Sequence, residues 1–232
     1  MLSNAYDYFL TFFNKKSESY NKRKVTAFKF NPFTIQAAAK GIGDNVTPHS
    51  IALATVYPFA LGTSLATSFG TKTQEFIVST MGEDSVTPSV VKGMDIEYID
   101  AFDHRKKYCQ LKAGPTTINY DDVDTICNHF KSLMKLGVTN HLKISNEDCV
   151  TGVLYGKDED LSTMYSKIKD EGYMVLAGED FWEHLTGIKG IYNDLVLTAR
   201  QASNDSSMKD SINQLVEKVE QYVNDNKELF GL

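Results

Sequence analysis

Between residues 94 and 114 the chain alternates apolar and polar side chains twice, in Met94-Asp95-Ile96-Glu97-Tyr98-Ile99 and again in Tyr108-Cys109-Gln110-Leu111-Lys112-Ala113-Gly114. A period of two marks a half-buried strand. The charged run Asp103-His104-Arg105-Lys106 between the halves supplies a turn, so the pattern predicts an antiparallel hairpin. Elsewhere the period is helical. Tyr6, Phe9, Leu10 and Phe13 stripe residues 2–14, and further helices are predicted over 33–40, over 48–65 and across the stretch carrying Glu75. Gly41-Ile42-Gly43 ends the second of these. No Lys-Ser/Thr follows it, so it is not a phosphate loop.

After the hairpin, Gly114-Pro115 stops the strand and Asn119 or Asp121 caps a helix striped by Val123, Ile126, Cys127, Phe130, Leu133 and Met134. A strand over 149–154, a helix over 161–170, a strand over 173–176 and a helix over 180–185 follow. A long helix over 207–230 carries Ile212, Leu215, Val216, Val219 and Val223 on one face. The strand-helix-strand order implies at least one parallel pair. The predicted class is therefore α/β, a central mixed sheet flanked by helices with N- and C-terminal helical extensions. At 232 residues and 42% hydrophobic the chain can bury one substantial core. A single domain is expected, with a helical region over about 1–66, a core over about 67–202, a linker at Ser203–Ser207 and the C-terminal helix.

The net charge of −6 argues against a nucleic-acid partner overall, but local charge differs. Lys15, Lys16, Lys22, Arg23 and Lys24 crowd the N-terminal region, and Arg105, Lys106 and Lys107 sit at the hairpin tip. Each cluster reads either as a solvated face or as a phosphate contact. Three cysteines without CxxC spacing indicate neither a disulfide framework nor a zinc ribbon, and a reducing compartment follows. No apolar run of the ~18 residues needed to span a bilayer is evident, and residues 1–13 are too polar and aromatic for a signal peptide. A soluble cytoplasmic protein with no membrane partner is expected. The five histidines show no HxxxH or HxH pairing and read as surface or capping residues.

The hairpin carries the candidate chemistry. A turn centred on Asp103-His104 sets Asp95 opposite Lys112 and Glu97 opposite Gln110, all four on one face, while Ile96, Cys109 and Leu111 point to the other. An acid followed on the next strand by acid-or-amide, any residue, lysine suits Mg²⁺-dependent phosphodiester hydrolysis, because Mg²⁺ needs only one or two protein oxygens besides waters and phosphate. Asp95 supplies the charge, Gln110 a neutral oxygen and the Leu111 carbonyl a further ligand. Lys112 would polarise water and offset developing charge. An exposed cross-strand ion pair accounts for Asp95 and Lys112 as well. The loop from Pro115 through Thr116, Thr117 and Asn119 follows directly, so those side chains are placed either to meet DNA or simply to cap a helix.

Asp95 with Gln110-Leu111-Lys112 and Ala113-Gly114-Pro115-Thr116-Thr117-Ile118 resembles the core of the PD-(D/E)XK nucleases, and more narrowly of type II restriction endonucleases. Asn31-Pro32-Phe33, Gly152-Val153-Leu154-Tyr155-Gly156 and Ala177-Gly178-Glu179-Asp180-Phe181-Trp182 occur in the order found in the branch that cuts interrupted GG/CC sites, so about two thirds of the chain is covered. The resemblance implies Mg²⁺-dependent, sequence-specific cleavage of double-stranded DNA by a homodimer. It assigns metal binding to Asp95 and Gln110 and the nucleophilic water to Lys112. Two departures stand out: Gln110 replaces the usual acid, and Met94 the usual proline. Another carboxylate is then expected to help, either Glu97 or Glu75, the latter resembling the acid such nucleases carry on the helix before the sheet. Arg105, Lys106, Lys22 and Arg23 join Thr116, Thr117 and Asn119 as candidate DNA contacts. A structure-selective repair or recombination nuclease of the same fold remains an alternative, as does an inactive DNA-binding protein.

Overall fold

A computed structural model describes residues 1–82 and 84–232. In chain order come α1 (Leu2–Asn21), α2 (Pro32–Ile42), α3 (Pro48–Tyr57), α4 (Ala66–Gly70) and α5 (Thr73–Met81), then β1 (Val86–Pro88), β2 (Ile96–Ile99) and β3 (Lys106–Lys112). Next are α6 (Tyr120–Thr139), β4 (Cys149–Val153), α7 (Thr163–Asp170), β5 (Met174–Ala177) and α8 (Glu179–Thr186), and finally α9 (Ile191–Asp205), α10 (Met208–Asp225) and α11 (Lys227–Phe230). The chain forms two compact units, Met1–Tyr8 with Gly70–Ala199 and Phe9–Phe69 with Arg200–Leu232.

The first unit holds the sheet, ordered β1-β2-β3-β4-β5. β1, β2 and β3 are antiparallel neighbours, and β4 and β5 then join in parallel, giving the expected mixed sheet. The chain returns through α6 and α7 between the parallel strands, as parallel pairing requires. α6 starts where the sequence places it: Asn119 accepts from the Asp122 N–H while the Asp122 carboxylate accepts from the Asn119 N–H. Its stripe of Val123, Ile126, Phe130 and Leu133 is buried with Tyr108, Cys149, Val153, Val175 and Ala177 from the sheet. On the sheet's other face Gly152 is fixed by packing, since a Cβ there would strike the Phe181 ring and the Cys109 sulfur. β1 was not foreseen: it is three residues long and contains Pro88, which confines it to an edge.

The hairpin register differs from the expected one. Glu97 pairs with Tyr108 and Ile96 with Cys109, a shift of two residues. The turn is closed by its own side chains: Asp100 accepts from the Phe102 N–H at 2.9 Å and Asp103 from the Arg105 N–H at 2.9 Å, while the His104 N–H reaches the Asp100 carbonyl. These bonds draw the apex one residue earlier. A shift of two preserves the faces, so Asp95, Glu97, Gln110 and Lys112 still share one side.

In the second unit α3 and α10 pack around Ile51, Ala52, Val56, Leu215, Val219 and Val223, with Tyr20 and Phe230 also fully buried. α1 runs on to Asn21, beyond the predicted end, and buries Phe9, Phe12, Ser17 and Tyr20 in preference to Leu10 and Phe13. After α3 the predicted helix continues as a π-helical stretch, Pro58–Leu65. Pro58 has no N–H to give to the preceding turn, so the ladder re-registers, and the Tyr20 hydroxyl donates to the Ala60 carbonyl at 2.8 Å. The continuous path Pro48–Gly70 is 23 residues long with a mean hydropathy of 1.3 over 18 residues, long and apolar enough by length and composition to cross a membrane. That corrects the reading of no such run: serine, threonine and glycine are polar or small but uncharged, so they lower the average little.

α9 was also unforeseen, and it occupies most of the expected linker. The break falls at Ser206-Ser207, where the Met208 N–H donates to the Ser206 hydroxyl at 3.3 Å.

Candidate active site

Asp95 lies one residue before β2 and extends its ladder, its N–H donating to the Cys109 carbonyl at 2.8 Å. That places it beside Gln110, not Lys112. Asp95 Oδ2 accepts from the Leu111 N–H at 2.6 Å. A strand residue's N–H and C=O face the same neighbour, so the Leu111 carbonyl is also on the Asp95 side. Gln74 of α5, which the sequence did not single out, holds the segment from behind by donating to the Asp95 carbonyl at 2.7 Å. Lys112 ends β3 close enough to Asp95 for its charge to oppose in part the rise that burial imposes on the Asp95 pKa.

The Lys112 backbone is held by the neighbouring strand. Its carbonyl accepts from the Leu154 N–H at 3.1 Å, and the Leu154 carbonyl accepts from Trp182 Nε1 at 3.0 Å. The turn that follows is tied by Tyr165, whose hydroxyl donates to the Gly114 carbonyl at 2.8 Å, as does that of Thr117. A Cβ on Gly114 would meet the tip of the Tyr155 phenol, which packs against the glycine here. Much of the resemblance to restriction enzymes therefore consists of residues that shape this end of the sheet.

The other candidates have specific placements. Glu97 is buried, its carboxylate taken by the Ser89 hydroxyl at 2.7 Å and Lys106 at 2.6 Å. Glu75 is exposed and paired with Lys72 at 2.5 Å, beside the Tyr8 phenol, whose pKa burial and the Glu75 charge push up to about 12. Arg105 is at the far end of β3, roughly 20 Å along the strand from Lys112, and is bound to Asp148, Glu147 and Ser145. Thr116, Thr117 and Asn119 flank the Lys112 end, Asn119 as the α6 cap. Lys22 and Arg23 belong to the other unit, Lys22 pairing with Glu18 at 3.6 Å and Arg23 stacking over Phe59 at 3.9 Å.

The donor set suits a hard divalent cation. Gln110 Oε1 is buried with no hydrogen-bond partner, and such an orphaned acceptor beside a carboxylate fits a cation. Among the described residues no three His, Cys, Asp or Glu side chains gather for a metal, so the Asp95 carboxylate has to be completed by neutral donors such as the Gln110 amide oxygen. Burial raises the Asp95 pKa, outweighing the lowering by the Leu111 N–H, Lys112 and His129. A carboxyl whose folded pKa is raised destabilises the metal-free fold above its unfolded pKa, a penalty that disappears as pH falls below it. Asp95→Asn should therefore raise the melting temperature at neutral pH with chelator present, and the gain should shrink on acidification. A gain independent of pH would contradict this account.

The family model for the type II restriction endonuclease EcoO109I matches residues 51–206, more than half of the chain and the whole hairpin. No curated protein matches it. Hairpin, mixed sheet and match together establish that the chain belongs to the EcoO109I family of type II restriction endonucleases, which are site-specific deoxyribonucleases.

Proposed function

We propose that the chain hydrolyses phosphodiester bonds at a specific site in double-stranded DNA, with Mg²⁺ as cofactor and with Asp95, Gln110 and Lys112 as the working residues. The observation that carries this is the unmatched Gln110 oxygen beside the Asp95 carboxylate, with the Lys112 ammonium at the same strand end. Asp95, Gln110 Oε1 and the Leu111 carbonyl would hold the cation, which when bound supplies positive charge for the phosphate and acidifies water. Lys112 orients the attacking water by donating an N–H to its oxygen and offsets charge that grows on the phosphate oxygens. Thr116, Thr117 and Asn119, at the same end, are in position to contact the DNA backbone.

A palindromic GG…CC-type site, as the family branch suggests, calls for a two-fold homodimer with one active site per strand. In this reading the helical region of about 1–66 serves dimerisation or DNA contact, around a core of about 67–202, in a cytoplasmic enzyme. Gln110 in place of an acid favours one competitor, an inactive DNA-binding protein. Digestion of unmethylated phage DNA with Mg²⁺, against an EDTA control, separates them. Discrete fragments sharing one short end sequence are expected. A smear or uncut DNA would refute sequence-specific cleavage.

A further inference from the structure

Asp95 has an electrostatic neighbour that the hairpin does not supply. His129 is on α6, three residues after buried Ile126 and four before buried Leu133, so it lies next to the sheet-facing stripe. Its ring rests against Gly93, two residues before Asp95, so closely that a Cβ at Gly93 would overlap His129 Cγ and Nδ1. Gly93 also has a φ of +86°, so glycine is required there twice over.

His129 Nδ1 is buried and meets no hydrogen-bond partner. The same is true of Gln110 Oε1 and of the Thr151 hydroxyl, which stands directly across the β3–β4 ladder from Gln110. Leaving a buried polar atom unmatched costs the free energy of the hydrogen bonds it gave up to water. Two of these atoms, on Gln110 and Thr151, stand on the Asp95 face of the sheet, and the third is on the ring that packs against Gly93, two residues from Asp95, whose carboxylate it is near enough to influence.

We propose that His129 Nδ1 is a third protein donor to the cation, alongside Asp95 and Gln110. This rests on the metal reading above and deepens it. Gln110 removes a negative charge from the site, and an imidazole supplies a softer donor in its place. Nitrogen donors favour first-row transition ions over Mg²⁺, so the ligand class is a divalent ion such as Mn²⁺ or Co²⁺, with Mg²⁺ the weaker occupant. Binding through Nδ1 requires the neutral ring with its proton on Nε2.

Pulsed electron paramagnetic resonance of Mn²⁺ bound to the full chain tests this without reference to cleavage. Histidine nitrogen modulation is expected in the wild type and should change when histidine alone is labelled with ¹⁵N, which needs no variant. His129→Gln and His129→Ala should lose it and bind Mn²⁺ roughly tenfold more weakly. Mn²⁺ that binds, is lost in Asp95→Ala and shows no histidine coupling would overturn the role of His129 and leave the Asp95 site standing. The absence of any Asp95-dependent Mn²⁺ binding would overturn both.

Discussion

Lys112→Ala is expected to fold, to bind DNA and to cleave it roughly a hundred- to a thousandfold more slowly than the wild type under single-turnover conditions. Removing one preorganised group aimed at developing charge has an effect of that order, and the loss falls on the rate because the interaction matures only in the transition state. The fold should be spared. The Lys112 carbonyl is held by Leu154 and the strand pairs with β4 through its backbone, neither of which uses the ammonium. The metal site is less indifferent, because removing the ammonium changes the charge beside Asp95, so the rates must be compared at saturating cation. Lys131→Ala, which removes a surface partner of Glu171, controls for generic loss of positive charge and should cut normally. Wild-type cleavage by Lys112→Ala would remove Lys112 from the chemistry.

The grouping of the candidate residues on one face was legible because a strand's period of two survives errors of register. Asp95, Gln110 and Lys112 share a face whether the turn is centred one residue earlier or later, so their grouping needed only the alternation. Which of them are neighbours was not legible, since the apex is set by Asp100 and Asp103 bonding to nearby N–H groups. The hairpin tip shows a different limit. Its basic run suggested a DNA face, yet Lys107 is fully buried and Arg105 bonds Asp148, more than forty residues on. No local pattern records a partner at that distance. α9 was missed because Val196 and Leu197 are half exposed, which blurs the stripe that Ile191, Leu195 and Ala202 would otherwise show. His129 gave no signal of its own. A lone histidine flanking an apolar stripe becomes notable only when tertiary packing sets it against Gly93.

The support behind Lys112 predicts the largest loss of stability. Gly178→Ala should destabilise the protein by about 3 kcal/mol or more, lowering the melting temperature by roughly 10 °C, given 1–3 kcal/mol for a side chain held in a glycine-only conformation and 2–4 °C per kcal/mol in a chain of this size. Gly178 has φ 52° and ψ −123°, and a Cβ there would be driven into the Gly156 carbonyl oxygen. Backbone meets backbone at that point, so no flexible side chain can yield. The Gly178 N–H also donates to the Val153 carbonyl at 2.9 Å, and its carbonyl accepts from the Trp182 N–H at 3.1 Å. Relief of the clash must therefore shift the segment from Val153 to Gly156, which carries the Leu154 N–H that holds Lys112. Activity measured well below the melting temperature should fall too, by misplacing Lys112. Gly41→Ala is the contrast: inside α2, with open space where the Cβ would go, it should leave stability unchanged or raise it by up to about 1 kcal/mol. Equal melting temperatures for the two variants would mean that the close approach of Gly178 to Gly156 is not a constraint of the fold.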